Sequence, residues 1–403
     1  MAGRSSLEVA LISIHYPPIR TSTAVQMQDL AEEFVAQGHR ATVLVPDSEI
    51  NVPCVRESER GVEILRLKAP SARVYSLARR AINETLLSFF LIRAYTNSEL
   101  RNKEWDLIVW YSPTIFFSPF VWYLSFKSKA YRYLILRDMF PQWALDTGIL
   151  RPGIAYLYFK FAADIQYWLA DCIGVQSESN LPYVQRWSRQ NRRHVEVLNN
   201  WLRIRPLGKC SIALALTPLE RRHIFVYAGN MGFAQGAAIL VDLAASLKDR
   251  SDIGFVFVGR GADFSKLQLK AKVSNLDNTM FFDEIPSEEI PGLLSQCRGG
   301  LFSLSLSHKS HNVPGKFLSY LSAGLPVIAN VNRDTDVMKM INEQQVGRAF
   351  STNQIAPMRE FVLELCDNDE LHAQMSINAR ALAESKFSVH SAVGQILSHL
   401  ARS

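Results

Sequence analysis

Short apolar runs alternate with helix-patterned stretches along almost the whole chain, and that alternation leaves few folds open. A short apolar run bounded by turn residues is a strand buried on both faces. Successive parallel strands need a crossover connection, which is usually a helix. The first series of runs is Val9–Ile14, Ala41–Pro46, Ile64–Leu67, Leu107–Tyr111, Tyr133–Leu136, Cys172–Gln176 and Val195–Leu198. A second series comprises Ile224–Tyr227, Phe255–Val258, Met280–Phe282, Leu301–Leu304 and Pro326–Ala329. Between them Asn199–Arg222 carries Pro206, Gly208 and Pro218 and no clear period, so it reads as a connection between domains. The expectation is an α/β protein of two Rossmann-like, doubly wound domains, residues 1–202 and 203–387. A last helix within 388–403 packs back on the first domain, and the carboxyl ends of both sheets line a cleft where a ligand binds.

Length and composition agree. At 403 residues the chain exceeds one ordinary core, and 48% hydrophobic with 20% charged residues suits a globular protein. A formal charge of +6 favours an anionic substrate or surface but falls short of a nucleic-acid footprint. Cys54, Cys172, Cys210, Cys297 and Cys366 are scattered without zinc-type spacing, which reads as reduced thiols in a cytoplasmic protein. Ala10–Ile14 is too short for the apolar region of a signal peptide. Leu107–Phe126 is uncharged and long enough to span a bilayer, but Pro113 and Pro119 divide it. A strand ending at Tyr111, followed by a helix running into Lys127, accounts for it better.

Two passages carry most of the chemistry. In IFVYAGNMGFAQGAAILVDLAASLK a buried strand ends at Ala228, and Gly229, Gly232 and Gly236 lead into a helix. Glycines let backbone approach an anion, and a helix N-terminus offers free N–H groups. The spacing is not GxGxxG, and such a turn can equally be structural. In HNVPGKFLSYLSAGLPVIAN, Lys316 falls near a helix start, where the dipole disfavours a cation. That misfit points to an anion nearby, with a solvated surface lysine as the plain alternative.

Together these passages resemble the donor-binding half of glycosyltransferase family 4, which has the GT-B fold. YAGNMGFAQG, FVFVGRG, IPSEEIPGLLSQC and PGKFLSYLSAGLPVIA follow that family in order and spacing. The first half is similar too, through HYPP, LAEEFVAQGHRATVLVP, LILRDMFP and LADCIGVQSES before VEVLNN. The nearest branch is that of bacterial O-antigen and capsule enzymes, the WbuB-type N-acetyl-fucosamine transferases. The resemblance implies a retaining transferase moving a sugar from a UDP-sugar to a lipid-linked acceptor, without metal or other cofactor. It implies an acceptor-side first domain, a donor-side second domain and a cytoplasmic protein peripheral on the inner membrane face. On the donor side it implies contacts from Gly229, Asn230, Gly232, Gln235, Glu284, Ile285, His311, Asn312, Val313, Pro314, Gly315 and Ser319. Lys316 and Arg260 would be the phosphate cations. Asn230 and Gln235 stand where the family has Arg and Lys, His311 and Ser319 where it has paired glutamates, and Arg137 where it has a histidine.

Other candidates stay open between chemistry and structure. Asp138 ends a strand and either meets a sugar or acceptor hydroxyl or caps the next turn. His15 ends the first strand and borders the expected cleft, or is an ordinary turn histidine. Asp334-Thr335-Asp336 spells a DxD, but Asp334 reads better as a helix N-cap than as a metal ligand. Between Arg73 and Arg137 basic residues outnumber acids beside Leu77, Leu86, Leu87, Phe89, Phe90 and Leu91. That segment suits an anionic membrane surface, or a core-facing helix with a solvated basic face. Two rivals to a transferase remain, a UDP-sugar 2-epimerase on the same scaffold and a degenerate partner subunit.

Overall fold

The computed structural model describes residues 6–19, 21–71, 77–146, 148–191, 193–204, 208–305, 313–351 and 354–400. The chain divides into unit 1, Met1–Trp201 with Val389–Ser403, and unit 2, Leu202–Ser388.

Unit 1 holds β1 (Glu8–Ile12), β2 (Arg40–Asp47), β3 (Cys54–Glu59), β4 (Val62–Lys68), β5 (Leu107–Tyr111), β6 (Tyr131–Leu136), β7 (Cys172–Val175) and β8 (His194–Val197). They form one eight-stranded sheet in the order β3-β4-β2-β1-β5-β6-β7-β8. Every pairing is parallel except β3 with β4. Alternate residues of β1 serve opposite faces: Val9 and Leu11 enter one core layer, Ala10 and Ile12 the other. Strand order reverses between β1 and β5, which opens a crevice beyond their carboxyl ends.

Unit 2 holds β9 (His223–Ala228), β10 (Ile253–Val258), β11 (Thr279–Phe282), β12 (Gly299–Ser303), β13 (Val327–Asn330) and β14 (Gly347–Phe350). They form a wholly parallel sheet in the order β11-β10-β9-β12-β13-β14. Its switch point lies between β9 and β12. Both units are thus α/β and Rossmann-like, as the alternating pattern requires.

Sequence and structure part in a few places. β3 was not expected, because CVRESE is an exposed antiparallel edge with no apolar run to announce it. β14 was missed because GRAF is short and half polar. The uncharged stretch is β5 followed by the helix Ser118–Ser128, and among the described residues no helix is long and apolar enough to cross a membrane. The change of unit falls at Trp201–Leu202, inside the connection Asn199–Arg222, whose residues also enter both cores: Trp201 that of unit 1, and Ile212, Leu214 and Leu219 that of unit 2. The DxD reading changes in detail. Thr335 is the N-cap of the helix Asp336–Glu343, Asp336 opens its first turn, and Asp334 precedes it with φ of 59°.

The helix Val389–Ser398 completes unit 1 by burying Val389, Ala392, Val393 and Ile396 beside Phe34, Leu107 and Tyr133. All seven tryptophans lie at or before Trp201, so their fluorescence reports on unit 1 alone. Ile396→Ala should destabilise the transition seen by tryptophan fluorescence in a denaturant titration by about 2–5 kcal/mol. An unchanged midpoint would show that the helix contributes nothing to that core.

Candidate active site: a glycine turn and a buried lysine

In unit 2 the loops after β9 and β10 run backbone against backbone. Gly229 N–H donates to Val258 O at 2.8 Å, and Met231 N–H to Arg260 O at 2.7 Å. Gly259 has φ of 146°, and a Cβ there would stand 2.0 Å from Gly229 O. At Gly261 a Cβ would stand 2.2 Å from Met231 O, so both positions demand glycine. The turn does not open directly into a long helix. A single 3₁₀ turn, Phe233–Gln235, comes first, and the helix Ala238–Ser246 follows. The Gln235 side-chain oxygen accepts from Asn230 Nδ2 at 3.0 Å and from Gly232 N–H at 3.1 Å. Asn230 and Gln235 thus hold each other across the turn and take up one of its N–H groups.

Lys316 lies at the second position of the helix Gly315–Ala323, which Pro314 precedes and Val313 anchors in the core. Its Nζ sits 3.7 Å from the centroid of the Tyr227 ring and, among the described residues, has no hydrogen-bond partner. The ammonium also approaches the turn itself, since a Cβ at Gly229 would be 3.9 Å from Lys316 Nζ. Burial pushes its pKa down to about 7, because an ammonium removed from water favours its neutral form. An anion entering beside the turn would reverse that preference. The plain alternative of a solvated surface lysine is therefore wrong.

Two tyrosines that the sequence did not single out shape this place. Tyr227 donates to Asn230 O at 2.6 Å, which ties the ring under Lys316 to the turn. Tyr320 accepts from Ala228 N–H at 3.0 Å and donates to Leu301 O at 2.9 Å, bracing the ends of β9 and β12. Both read from sequence as core aromatics, and only the parity of Tyr227 with the strand end hints at more.

The remaining donor-side residues are unequal. Arg260 is 75% exposed and ion-paired to Glu284 at 3.1 Å, so its charge is already partnered. Ile285 packs its side chain against the core, and half-buried Ser319 donates to Gly315 O at 3.3 Å, within its own helix. His311 and Asn312 lie outside the described residues.

In unit 1 His15 follows β1 and is held locally. Its N–H donates to Ser13 Oγ at 3.3 Å, and its Nδ1 lies 3.4 Å from Thr21 Oγ1. Arg137 follows β6 and donates to Tyr111 Oη and Gln26 Oε1, each at 2.7 Å. The Asp138 carboxylate faces the Arg137 guanidinium electrostatically. Burial raises its pKa, and the Arg137 guanidinium opposes the rise. His15, Arg137 and Asp138 all stand beyond carboxyl strand ends: β1, which His15 follows, borders the switch point, and β6, which the other two follow, neighbours β5.

Residues 215–382 match the family described as Glycosyl transferases group 1. The probable glycosyltransferase WbjE of Pseudomonas aeruginosa is 22% identical over 241 residues, 59% of this chain and 60% of WbjE. The chain thus spans less than two thirds of that relative. The putative colanic acid biosynthesis glycosyl transferase WcaI of Escherichia coli (strain K12) is 22% identical over 345 residues, 79% of this chain and 82% of WcaI. Among solved structures, sucrose-phosphate synthase from Thermosynechococcus elongatus superposes with a TM-score of 0.70 at 15% identity, covering 99% of this chain and 98% of that one. HepE of Anabaena in complex with UDP-glucose gives 0.67 at 13%, covering 98% and 100%. At such identities the likeness to solved structures is one of fold. The fold is GT-B, and the part of the chain similar to group 1 glycosyl transferases, residues 215–382, lies in the second unit.

Proposed function

We propose that the chain transfers a sugar from a UDP-sugar to a lipid-linked saccharide acceptor in surface-polysaccharide synthesis, with retention at the anomeric carbon. The observation that carries the reading is Lys316. A buried ammonium that, among the described residues, meets an aromatic face and no hydrogen-bond partner is poised for an anion, and the adjacent glycine turn offers backbone to a diphosphate. The uridine assignment draws on HepE, whose structure holds UDP-glucose, and the surface-polysaccharide assignment on the WcaI relative. An N-acetylated deoxyhexose such as N-acetyl-fucosamine is the sugar that the resemblance to WbuB-type enzymes suggests. In this reading the donor needs no bridging metal. Breaking the sugar–phosphate bond leaves charge on the diphosphate, which Lys316 and turn N–H groups meet in place. Val313, Pro314 and Gly315 set the start of the Lys316 helix, while Arg260 would have to leave Glu284 to assist. Asp138 and His15 would face the acceptor half of the reaction.

A panel of UDP-, GDP- and ADP-sugars with a lipid-linked acceptor tests this directly. Sugar transfer from one donor supports it, turnover of a UDP-sugar without acceptor favours the epimerase, and no turnover with any donor favours a degenerate partner. The mutual hydrogen bonding of Asn230 and Gln235 is the observation that keeps the last alternative alive.

The surface reading also gains a physical basis. Arg80 is paired with Glu84, and Arg132 with Asp171, so part of the basic charge between Arg73 and Arg137 is already spent. Arg73 itself lies outside the described residues. Of the flanking apolar residues, Leu87 and Leu91 are core while Phe89 and Leu86 face outward. A stronger feature is the neighbouring helix Ile154–Leu169, whose Ile154 (88% exposed), Leu157, Phe161 (66%) and Trp168 recur at helical spacing on an open face. Trp122 and Phe126 (76%) extend it from the helix Ser118–Ser128. An apolar helix face rimmed by Lys127 and Lys129 suits the inner membrane surface, where the lipid-linked acceptor resides.

Lys316→Met should lower turnover on the order of a hundredfold or more while leaving the fold intact, and Lys316→Arg should recover part of the loss. Near-normal transfer by the Met variant would move the phosphate cation elsewhere.

The pKa of about 7 gives a second expectation. UDP should raise that pKa, so binding takes up a proton, and affinity falls as pH climbs above 7, by up to about tenfold per unit until the bound pKa is reached. Calorimetry in buffers of differing ionisation enthalpy should register the uptake in the wild type and lose it in Lys316→Met. A pH-independent wild type would contradict the assignment.

Phe126→Asp with Phe161→Asp should abolish co-sedimentation with vesicles containing anionic lipid. Undiminished co-sedimentation would remove the helix face from the membrane reading.

A further inference from the structure

At the opposite ends of the unit 1 strands, four metal-ligating side chains converge. Cys172 is the first residue of β7 and His194 the first of β8, and the two are register partners. Glu196 lies two residues along β8, opposite Gly174, so Cys172, His194 and Glu196 share one face of the sheet. That face is the one the carboxyl-terminal helix covers, and His399 follows that helix. His399 Nε2 stands 3.1 Å from Glu196 Oε2, His194 Nε2 stands 3.4 Å from the same oxygen, and Cys172 Sγ lies 3.9 Å from His399 Nε2. All four ligand atoms fall within 4.8 Å of one another.

We infer that Cys172, His194, Glu196 and His399 form a structural zinc site that fastens the last helix to the sheet of unit 1. The ligand chemistry selects the metal. A thiolate excludes magnesium and calcium, which take oxygen ligands, and a set of one sulfur, two imidazoles and one carboxylate suits tetrahedral zinc. Bond lengths of about 2.3 Å to sulfur and about 2.0–2.2 Å to nitrogen and oxygen place neighbouring ligands roughly 3.3–3.6 Å apart. The three distances above bracket that range, so closing the site needs shifts of a few tenths of an ångström at those contacts. Thiolate and carboxylate together neutralise a divalent cation.

Surrounding groups already orient the ligands. Tyr133 donates to Glu196 Oε1 at 2.6 Å, leaving Oε2 to face both imidazoles. Gly174 makes room for that hydroxyl, since a Cβ there would stand 2.5 Å from Tyr133 Oη. The Tyr131 ring stacks on His399 at 6.1 Å with an interplanar angle of 4°, and Gln395 Nε2 donates to Val197 O at 2.9 Å. Outer partners of this kind set ring orientation and ligand direction in metal sites. His399 and Cys172 are buried and Glu196 is half-buried, while His194 closes the ligand set from the exposed side. The site stands at amino strand ends, away from the crevice at the carboxyl ends, so its role is to hold the fold and not to act on substrate.

The test uses the full chain, stripped of metal. Titration with zinc against a chromophoric chelator should show one tight equivalent, and zinc should raise the tryptophan-monitored melting temperature. Cobalt(II) should give a thiolate-to-metal charge-transfer band with tetrahedral d–d bands. Cys172→Ser should abolish the charge-transfer band, and His399→Gln should weaken zinc by more than about tenfold. Should Cys172→Ser fail to fold, the wild-type cobalt spectrum with the His399→Gln titration still decides the matter. Absence of a tight equivalent, a cobalt spectrum without thiolate character, or a band that survives Cys172→Ser would each overturn the assignment.

Discussion

The proposed chemistry of unit 2 depends on an ammonium kept out of water with, among the described residues, no hydrogen-bond partner to meet it. Burying an unpaired charge is among the costlier things a fold can do, and a ring face returns only part of that cost. Everything around Lys316 serves to keep it in place regardless. Tyr227 lies beneath it and is tied through its hydroxyl to Asn230 O. Tyr320 locks β9 to β12, and the glycine contacts bring two loops to backbone distance. A side chain in that position has lost its solvation and, among the described residues, found no hydrogen-bond partner, which is the state in which an incoming anion gains most. Preorganisation of this kind shows as lowered basicity, because burial disfavours the charged form until an anion arrives.

The parallel strands were legible because burial on both faces writes a continuous apolar run into the sequence. Nothing comparable marks β3, whose residues face water at an edge, or β14, which is four residues of mixed character. The site was legible only in part. Lys316 gave itself away by sitting where a helix dipole repels it, a local conflict visible without coordinates. Tyr227 did not, since an aromatic residue in a buried strand has core packing as its ordinary explanation. What sets it apart is a cation contributed from far along the chain, Lys316 over its ring. Asn230 and Gln235 were legible as residues in the turn but not as partners of each other, because that depends on a 3₁₀ turn bringing them together. The DxD failed for a related reason: its letters fit two roles, and the backbone assigned the cap to Thr335 instead of Asp334.

Charge and apolar surface in unit 1 show how composition can mislead about mechanism. Counting basic residues suggests an electrostatic surface, but ion pairs such as Arg80–Glu84 and Arg132–Asp171 keep much of that charge local. The helix Ile154–Leu169 shows the reverse. Its apolar residues look like an ordinary core stripe in sequence, yet Ala163, Gln166, Tyr167 and Leu169 are buried while Phe161 and Trp168 are not. A helix with apolar residues on both sides has used one side for its own core and left the other unexplained by folding.

The two ends of the unit 1 sheet divide the work, and topology explains why. Strand order reverses between β1 and β5, so carboxyl ends there cannot be covered by crossover helices on both sides, and polar groups such as Arg137 and Asp138 collect beside the opening. Amino ends have no such opening and can be closed. Closure matters most for the last helix, because the chain leaves unit 1 after Trp201 and returns only at Val389. Bringing the ends of so long an excursion together costs conformational entropy, which grows slowly with length but must still be recovered from contacts. The helix offers a modest apolar stripe: Val389, Ala392, Val393 and Ile396. Its beginning gains the His390–Glu33 pair at 2.9 Å, and just beyond its end His399 reaches Glu196 at 3.1 Å. Polar fastening at both ends of a short helix makes its return specific in register, where apolar packing alone would tolerate a slide along the groove.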